Sequence, residues 1–583
     1  MHYQTVKYSS RRSRTKVRTM IPPFPDNDQW LSMYQRMLDL LLEQKSADFL
    51  ASAFMVDMRE AWTRAVTGWS QSPQRYAGIR QEWEQALGRF NDNSGQHGNN
   101  PQRAVRDLRE LHGSLGHCLR AMVQETPDIS VEDRRILLFG VRHIVNAMSP
   151  DYWPASNEEV IRTFFDTCGA SMMQGFNTFQ EDIHNSVIGL DVKSAGRDDY
   201  RVGETLAITP GEVVYQNRLF QLIQYYPFSQ EVYATPLLIV PPWINKFYVL
   251  DLTPTDSFVQ WAVKRGYTVF MISWNNPGLD EEPLGLADYL VEGCITAINK
   301  ARELSTDGQV NLAGYCIGGL LAACAAAYLA GKGNNTLLTL TLINTMLDHE
   351  EPGDIGVFLS ERMLSALEHR GEEQGILDGR ILRQTFTMLR EDRMFWPYVV
   401  NNYFLGRPPK PNPVFYWNQD ATNIPLPMLI EIIRELYHGN NLVQDGGYSL
   451  AGRELELERV DCPVFILACR NDHIVPWKSA YRSTALFGGK TRFTLSDAGH
   501  VMGVINPPSR QRGGYWEQSS NDFPEDAAQW LAHAGYHNGA WWDHWYQWNA
   551  EHQGGRVRAR FPGQSGVHII EPAPGSYVMK SIN

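Results

Sequence analysis

The chain has 583 residues, of which 43% are hydrophobic and 20% are charged. This composition is that of an ordinary globular protein, and it excludes a collagen-like, coiled-coil or wholly disordered chain. The net charge of −12 provides no general basic surface for a nucleic acid. Seven cysteines are too few for a disulfide framework in so long a chain, so we expect a protein of the reducing cytosol.

The first 195 residues carry little strand signal, and we expect them to form a helical N-terminal domain. Residues 1–25 are rich in Lys and Arg but lack the apolar stretch of a secretory signal. We expect a disordered arm there, with weak binding to an anionic surface as the alternative. The polar run Asn91–Gln102 predicts a loop, and Asn157 predicts the start of a helix that runs through Phe165. Apolar residues at three- and four-residue spacing predict further helices over Asp28–Leu50, Ile79–Phe90 and Gln102–Met122.

Residues 196–583 contain short β-rich runs that alternate with helical segments, which predicts a catalytic domain of the α/β class. We expect a mostly parallel sheet covered on both faces. The segment from about 344 to 458 shows no clear strand series and predicts an inserted helical lid. The apolar run Leu312–Gly331 begins with glycines, so we expect a turn and a buried helix and no transmembrane segment. The predicted strands are Pro236–Val240, Thr268–Ser273, Gln309–Ala313, Leu337–Ile343, Pro463–Ala468 and Thr491–Leu495.

The motif Gly314-Tyr-Cys316-Ile-Gly318 lies between a predicted strand and an Ala-rich predicted helix. This is the pattern of a nucleophile elbow with Cys in place of Ser. The glycines are needed because side chains beside the nucleophile would collide with the neighbouring strand and helix. The N-terminus of the following helix also stabilises a thiolate. We therefore expect Cys316 to be a nucleophile; the alternative is a tight glycine turn that holds a buried Cys.

A nucleophile elbow predicts an acid after a later strand and a His after the last strand, in that order. Asp472 follows the predicted strand that ends at Ala468, and His500 follows the next one. Both then lie at the carboxyl ends of strands, as Cys316 does, so the three side chains should meet. Asp497 is a rival acid beside His500, and His473 is a weaker candidate for a direct role.

The oxyanion hole should use the backbone N–H of Ile317, the residue after the nucleophile. The second donor should come from the loop after the strand Pro236–Val240. Two prolines in that loop lack N–H groups, which leaves Trp243 or Ile244. No known metal-binding or cofactor-binding motif stands out, so we expect neither a metal nor a cofactor.

Trp417 and a second group of six tryptophans each permit two interpretations. Trp417, in the predicted lid, is either an anchor of a dimer contact or a residue packed inside the insertion. The second group either contacts a polymer or lipid surface or packs a helix onto the sheet; its members are Trp516, Trp530, Trp541, Trp542, Trp545 and Trp548.

At these motifs the sequence resembles the polyhydroxyalkanoate synthases, and within them the single-subunit class I type. The similarity covers roughly residues 130 to 583. The quoted motifs are Gly211-Glu-Val-Val-Tyr-Gln-Asn217, Val240-Pro-Pro-Trp-Ile-Asn-Lys246, Ser273-Trp-Asn-Asn-Pro277, Gly314-Tyr-Cys316-Ile-Gly-Gly319, Asn471-Asp-His-Ile-Val-Pro-Trp477 and Gly499-His-Val-Met-Gly-Val-Ile-Asn-Pro-Pro508.

The resemblance implies an α/β-hydrolase fold with an inserted helical lid, preceded by a helical N-terminal domain. It implies polymerisation of (R)-3-hydroxyacyl-CoA, most simply 3-hydroxybutyryl-CoA, through an acyl group carried on Cys316, with Asp472 and His500 completing the site. It also implies a homodimer in the cytoplasm at the surface of a polyester granule. The negative net charge leads us to expect no nucleic-acid partner. The residues alone leave two alternatives open: a Cys-nucleophile hydrolase or thioesterase, and a non-catalytic granule-associated protein.

Overall fold

The computed structural model describes residues 49–94, 101–185, 192, 200–278, 284–518, 522–564 and 568–582. Helices of six residues or more and the strands of the main sheet are numbered in chain order below. The predicted basic arm and almost all of the predicted helix Asp28–Leu50 lie outside the described residues.

Within the described part of the chain, helices alone precede the first strand of the main sheet. Side chains cap two of them: the Ser130 hydroxyl accepts a hydrogen bond from the Asp133 amide at 2.9 Å, and Asn157 Oδ1 accepts one from the Glu159 amide at 3.0 Å. These helices are α1 (Phe49–Gln71), α2 (Ala77–Ser94), α3 (Pro101–Gln124), α4 (Val131–Ala147), α5 (Glu158–Asp166) and α6 (Ala170–Asn185).

The helices predicted over Ile79–Phe90, over Gln102–Met122 and from Asn157 are confirmed, and the observed helices extend slightly further. The predicted loop Asn91–Gln102 is wrong at both ends. Helix α2 continues through Ser94, and α3 begins at Pro101, whose fixed φ suits the first helical position. The residues between lie outside the described part. The division into domains at residue 195 stays a prediction.

The main sheet has eleven strands. They are β1 (Gly211–Gln216), β2 (Phe220–Tyr225), β3 (Leu237–Val240), β4 (Val269–Trp274), β5 (Val310–Tyr315), β6 (Leu337–Ile343), β7 (Val464–Cys469), β8 (Thr491–Ser496), β9 (Gly514–Glu517), β10 (Gly535–Asn538) and β11 (Glu571–Pro572). Their order across the sheet is β10-β9-β8-β7-β6-β5-β3-β4-β2-β1-β11.

The centre of this sheet is parallel, and its two edges are antiparallel. The parallel strands are β8, β7, β6, β5, β3 and β4. They are the six strands predicted from the sequence, each placed within two residues. The antiparallel strands β1, β2, β9, β10 and β11 were not predicted. Strand β10 shows why: all four of its residues are exposed, so it lacks the apolar pattern that marks a buried strand.

Ten further helices of this length lie among the described residues after β1: α7 (Phe258–Lys264), α8 (Thr296–Glu303), α9 (Ile317–Ala330), α10 (Glu361–Gln374), α11 (Gly379–Leu389), α12 (Pro413–Gln419), α13 (Leu426–Glu431), α14 (Trp477–Arg482), α15 (Ala527–His533) and α16 (Trp541–Ala550). Helices α8, α9, α14 and α15 share a buried core with Leu238 and Val240 of β3. Helices α7 and α16 share another with Leu237 and Ile239 of the same strand. Alternate side chains therefore face opposite layers, and the sheet is covered on both faces as predicted.

The segment predicted as a helical lid lies between β6 and β7 and contains α10 to α13. Two π-helical stretches, Val399–Phe404 and Ile432–His438, complete it. Its buried residues Met363, Leu426 and Ile432 belong to the same core as α9. The insertion therefore packs directly over the helix that follows Cys316.

Five of the six tryptophans in the second group are buried, and Trp516 is partly exposed. Trp530, Trp541, Trp542 and Trp545 are buried, which supports packing of helices onto the sheet rather than an exposed belt. Trp417 is also buried, and its Nε1 donates a hydrogen bond to the Lys246 carbonyl at 2.7 Å. It packs inside the subunit and is not available as a dimer anchor. Within the described ranges, no helix is both long enough and apolar enough to cross a membrane.

Candidate active site

Cys316 lies in a sharp turn between β5 and α9. Its backbone has φ 55° and ψ −128°, a strained conformation for a residue with a side chain and one that is characteristic of a nucleophile elbow. Glycine is required on both sides. A Cβ on Gly314 would overlap the backbone of Gly319, and a Cβ on Gly318 would overlap the backbone at the end of β3. The structure therefore confirms the predicted reason for glycine at positions 314 and 318, which is the lack of space for a side chain.

His500 and Asp472 form a short buried contact. His500 Nδ1 lies 2.6 Å from Asp472 Oδ2, and the two side chains are 5% and 0% exposed. Asp472 Oδ1 accepts hydrogen bonds from the amides of Ile474 and Val475 at 2.8 and 2.9 Å. Both carboxylate oxygens of Asp472 are thus engaged, and Nε2 of His500 is left available to Cys316.

Cys316 completes this arrangement, since its sulfur lies close enough to His500 to raise the pKa of the imidazole. Burial alone would lower the pKa of His500, but the nearby Asp472 carboxylate and Cys316 sulfur raise it to about 10. The structure therefore brings together the three residues that the sequence predicted, with the imidazole of His500 between Cys316 and the Asp472 carboxylate. Such an arrangement can abstract a proton from the thiol and hold the resulting charge.

The loop that carries His500 is held by residues that sequence reasoning missed. Asn344, at the end of β6, donates from Nδ2 to the His500 carbonyl at 2.7 Å. Trp541 and Trp542 donate from Nε1 to the carbonyls of Gly503 and Val504, each at 2.8 Å. The adjacent tryptophans stood out in the sequence, but nothing there showed that they would be buried or which loop they would hold.

Of the two rival residues, Asp497 is directed elsewhere and His473 carries no charge at pH 7. Asp497 Oδ2 accepts a hydrogen bond from the Tyr536 hydroxyl at 2.7 Å and makes no hydrogen bond with His500. Burial lowers the pKa of His473 to about 4 despite the neighbouring Asp472, so its imidazole is neutral at pH 7. Besides Asp472 and His500, the charges close to His473 are Arg390 and Asp354.

The predicted oxyanion residues lie beside Cys316. Trp243, Ile244 and Ile317 line the same cavity as Cys316. The loop after β3 is fixed by two hydrogen bonds, from Trp274 Nε1 to the Pro241 carbonyl at 2.9 Å and from the Thr422 hydroxyl to the Trp243 carbonyl at 3.1 Å. The choice between the amides of Trp243 and Ile244 stays open.

This cavity has a volume of about 410 Å³ and a mainly apolar lining. The insertion supplies most of that lining, including Phe358, Met363, Leu367, Ile381, Phe386 and Ile433. An apolar acyl group attached to Cys316 would fit such a lining, whereas a charged group would not. Over the described ranges, no group of three or more His, Cys, Asp or Glu side chains is placed to hold a metal ion.

Comparison with known families gives two matches. The model of the poly-beta-hydroxybutyrate polymerase (PhaC) N-terminus matches residues 88–262, and the alpha/beta hydrolase fold model matches residues 237–507. The first match begins well before residue 130, so the family resemblance extends further into the helical region than the motifs indicated. The second match, with the parallel sheet and the elbow, confirms the predicted α/β-hydrolase fold.

Curated relatives agree with these models. The chain is 38% identical to the poly(3-hydroxyalkanoate) polymerase of Methylorubrum extorquens, over 81% of this chain and 78% of that protein. It is 38% identical to the poly(3-hydroxyalkanoate) polymerase subunit PhaC of Cupriavidus necator, over 77% of each chain. It is 33% identical to poly(3-hydroxyalkanoate) polymerase 1 of Ectopseudomonas oleovorans, over 77% of this chain and 80% of that protein. With its elbow cysteine, its α/β-hydrolase fold and these relatives, the chain belongs to the poly(3-hydroxyalkanoate) polymerase family.

Proposed function

We propose that this protein polymerises (R)-3-hydroxyacyl-CoA into polyester and releases CoA, with 3-hydroxybutyryl-CoA as its main substrate. The observation that carries this proposal is the connected set of Cys316, His500 and Asp472 at an apolar cavity, in a chain of the polymerase family. We assign Cys316 as the nucleophile, His500 as the general base and Asp472 as the residue that orients His500.

The first step loads the enzyme. His500 Nε2 takes the thiol proton, and the Cys316 sulfur attacks the thioester carbonyl of the substrate. The bond between that carbonyl and the CoA sulfur breaks, and the proton on His500 passes to the leaving CoA. One thioester replaces another, so the acyl group keeps its transfer potential. Asp472 stabilises the imidazolium that exists between these proton transfers.

The second step extends the chain. The 3-hydroxyl of another acyl unit attacks the acyl group on Cys316, and His500 accepts the hydroxyl proton. An ester bond forms as the bond to the Cys316 sulfur breaks, and the sulfur regains a proton. A serine at position 316 would instead hold the acyl group as an ester, no more reactive than the product. A cysteine is therefore the better nucleophile for polymerisation.

Both steps develop negative charge on the carbonyl oxygen. The amide of Ile317 at the start of α9 and the amide of Trp243 or Ile244 are the donors that we assign to this oxygen. The insertion covers the site with apolar side chains, which favours the hydroxyl of a second acyl unit over water as the acceptor.

The decisive experiment gives the purified protein 3-hydroxybutyryl-CoA and measures CoA release together with the fate of the acyl group. We expect insoluble polyester. Free 3-hydroxybutyrate in its place would identify a thioesterase, and absence of CoA release would indicate a non-catalytic protein. The Cys316→Ala variant is the matched control; it should keep its fold and release no CoA. Full turnover by this variant would contradict the assignment of the nucleophile.

We further propose that the active form is a homodimer in the cytoplasm, bound at the surface of the polyester granule. This proposal is supported by the family and not by a contact in the described chain, because Trp417 is buried within the subunit. Sedimentation of the purified protein with and without substrate tests the dimer. Fractionation of cells that accumulate polyester tests the location.

A further inference from the structure

Two helices of the N-terminal region reach the cavity that contains Cys316. Phe54 of α1 and Phe139 and His143 of α4 line it, together with the elbow and the insertion. Phe54 precedes the segment that matches the family model, which begins at residue 88. The helical region therefore does more than precede the catalytic fold; it supplies part of the wall of the site.

This part of the wall is aromatic. The ring of Phe358, in the insertion, lies 5.2 Å from that of Phe54 and 5.5 Å from that of Phe139, and the rings of Phe54 and Phe139 are 5.8 Å apart. All three residues line the cavity, and we call Phe54, Phe139 and Phe358 the aromatic wall. Three mutually packed rings form a bulky surface with little freedom to move, and such a surface limits what the cavity can hold.

Ion pairs fix this wall against the insertion. Arg142 Nη1 lies 2.6 Å from Asp354 Oδ2, in the turn that leads to Phe358. Arg362 Nε lies 2.8 Å from Asp57 Oδ1, one helical turn from Phe54. Residues Val357 and Leu389 of the insertion are also buried in the core of the N-terminal helices. The aromatic wall is therefore held from both sides.

We propose that Phe54 and Phe139 are specificity-determining residues that limit the length of the acyl chain on Cys316. This assignment rests on the proposed function. A four-carbon acyl group is much smaller than the cavity of about 410 Å³, so it occupies only the part next to Cys316. A longer 3-alkyl side chain extends along the apolar lining until it meets the aromatic wall. The N-terminal helices thereby contribute to the choice of substrate.

The test is a series of 3-hydroxyacyl-CoA substrates with four, six, eight and ten carbons. For each protein the specificity constants are divided by that for the four-carbon substrate. In the wild-type protein this ratio should fall beyond a certain acyl-chain length. In Phe54→Ala and Phe139→Leu the fall should occur at a longer acyl chain. At the first length that the wild-type protein rejects, the ratio should rise about tenfold, the discrimination that a methylene or two provides in an apolar pocket. Phe139→Trp should move the limit the other way.

Leu137→Ala is the matched control, because Leu137 is fully buried in α4 but does not line the cavity. It should lower stability and leave the length profile unchanged. If Phe54→Ala and Phe139→Leu give the same profile as Leu137→Ala, the proposal is wrong. Should Phe139→Leu fail to fold, Phe54→Ala decides alone, since Phe54 is only partly buried.

A binding series separates this proposal from the proposed function. The same substrates are titrated calorimetrically into Cys316→Ala protein, with and without the Phe54→Ala change. Tighter binding of the longer chains by the double variant supports the aromatic wall even if the wild-type protein makes no polyester. If the two proteins bind each substrate with the same affinity, the aromatic wall does not limit chain length and this proposal is wrong. That result would leave the proposed polymerisation by the wild-type protein unaffected.

Discussion

The indole of Trp542 donates a hydrogen bond to the carbonyl of Val504 at 2.8 Å, four residues beyond His500. Helix α16, on the face of the sheet opposite to α9, thus holds the loop that carries His500. The position of His500 depends on a segment that contributes nothing else to the site.

Replacing Trp542 with Phe should keep the packing and remove only the donor. We expect a loss of about 1–2 kcal/mol in stability, because a buried carbonyl loses its partner. The kcat for CoA release should fall, with little change in KM, because the loop rather than the cavity is affected. Trp548→Phe is the control: it is in the same helix, and its Nε1 makes no hydrogen bond within the described structure. Equal kcat values for the two variants would contradict this role of Trp542.

Asp472→Asn should slow the loading of Cys316 by about 10³–10⁴-fold, as expected for a triad whose imidazole is held in the wrong tautomer. The reason lies in the two amides that bind Asp472 Oδ1. An asparagine would keep its oxygen there and direct its NH₂ group at His500 Nδ1. Rapid-quench measurement of CoA release tests this. Fast release of one CoA per site followed by arrest would show instead that Asp472 acts mainly in chain growth.

The stability of the protein should fall as the pH rises from about 6.5 towards 10. Asp472 and Cys316 raise the pKa of His500 in the folded protein above its value in the unfolded chain, against the effect of burial. The stabilisation from the protonated imidazole is therefore complete below the unfolded pKa and is lost as the pH passes through the folded pKa. Urea unfolding of the wild-type protein and of His500→Gln at a series of pH values measures this. If the free energy of unfolding depends on pH in the same way in the two proteins, His500 is not the cause and this prediction is wrong.

Gly319→Ala should abolish activity, and Thr345→Ala should partly restore it. The added Cβ would overlap the Thr345 side chain, so shortening that side chain relieves most of the clash. Gly318→Ala should not be rescued in the same way, because its Cβ would meet backbone atoms of Val240 and Pro241. CoA release by the single and double variants, with thermal unfolding as a check on folding, measures the rescue. Recovery of Gly318→Ala by Thr345→Ala would refute the steric explanation.

The sequence was sufficient to predict the central strands and the meeting of Cys316, Asp472 and His500, because these depend on local features. A run of buried apolar residues marks a parallel strand, and a catalytic side chain just after it marks the carboxyl edge of the sheet. Residues that act through distant contacts could not be found in this way. Phe54 contacts Phe358, which lies some 300 positions later in the chain. The local sequence around either residue does not predict this contact.

Burial decided the remaining interpretations. The sequence placed Trp417 in the insertion but could not show whether it faced outward. In the structure its indole is covered and bonded to the Lys246 carbonyl. The edge strands were not predicted for a related reason. Their polar, exposed residues have the sequence pattern of a loop, and only pairing with a neighbouring strand makes them a strand.

The shared core of the N-terminal helices and the insertion has a consequence for how the protein opens. Val357 and Leu389 are buried among residues of α1 and α4, so the insertion cannot lift away without exposing that core to water. Helix α4 and the part of the insertion that shares its core should therefore open together. Amide hydrogen exchange in native conditions should then give α4 and the segment around Leu389 similar opening free energies, lower than that of β5.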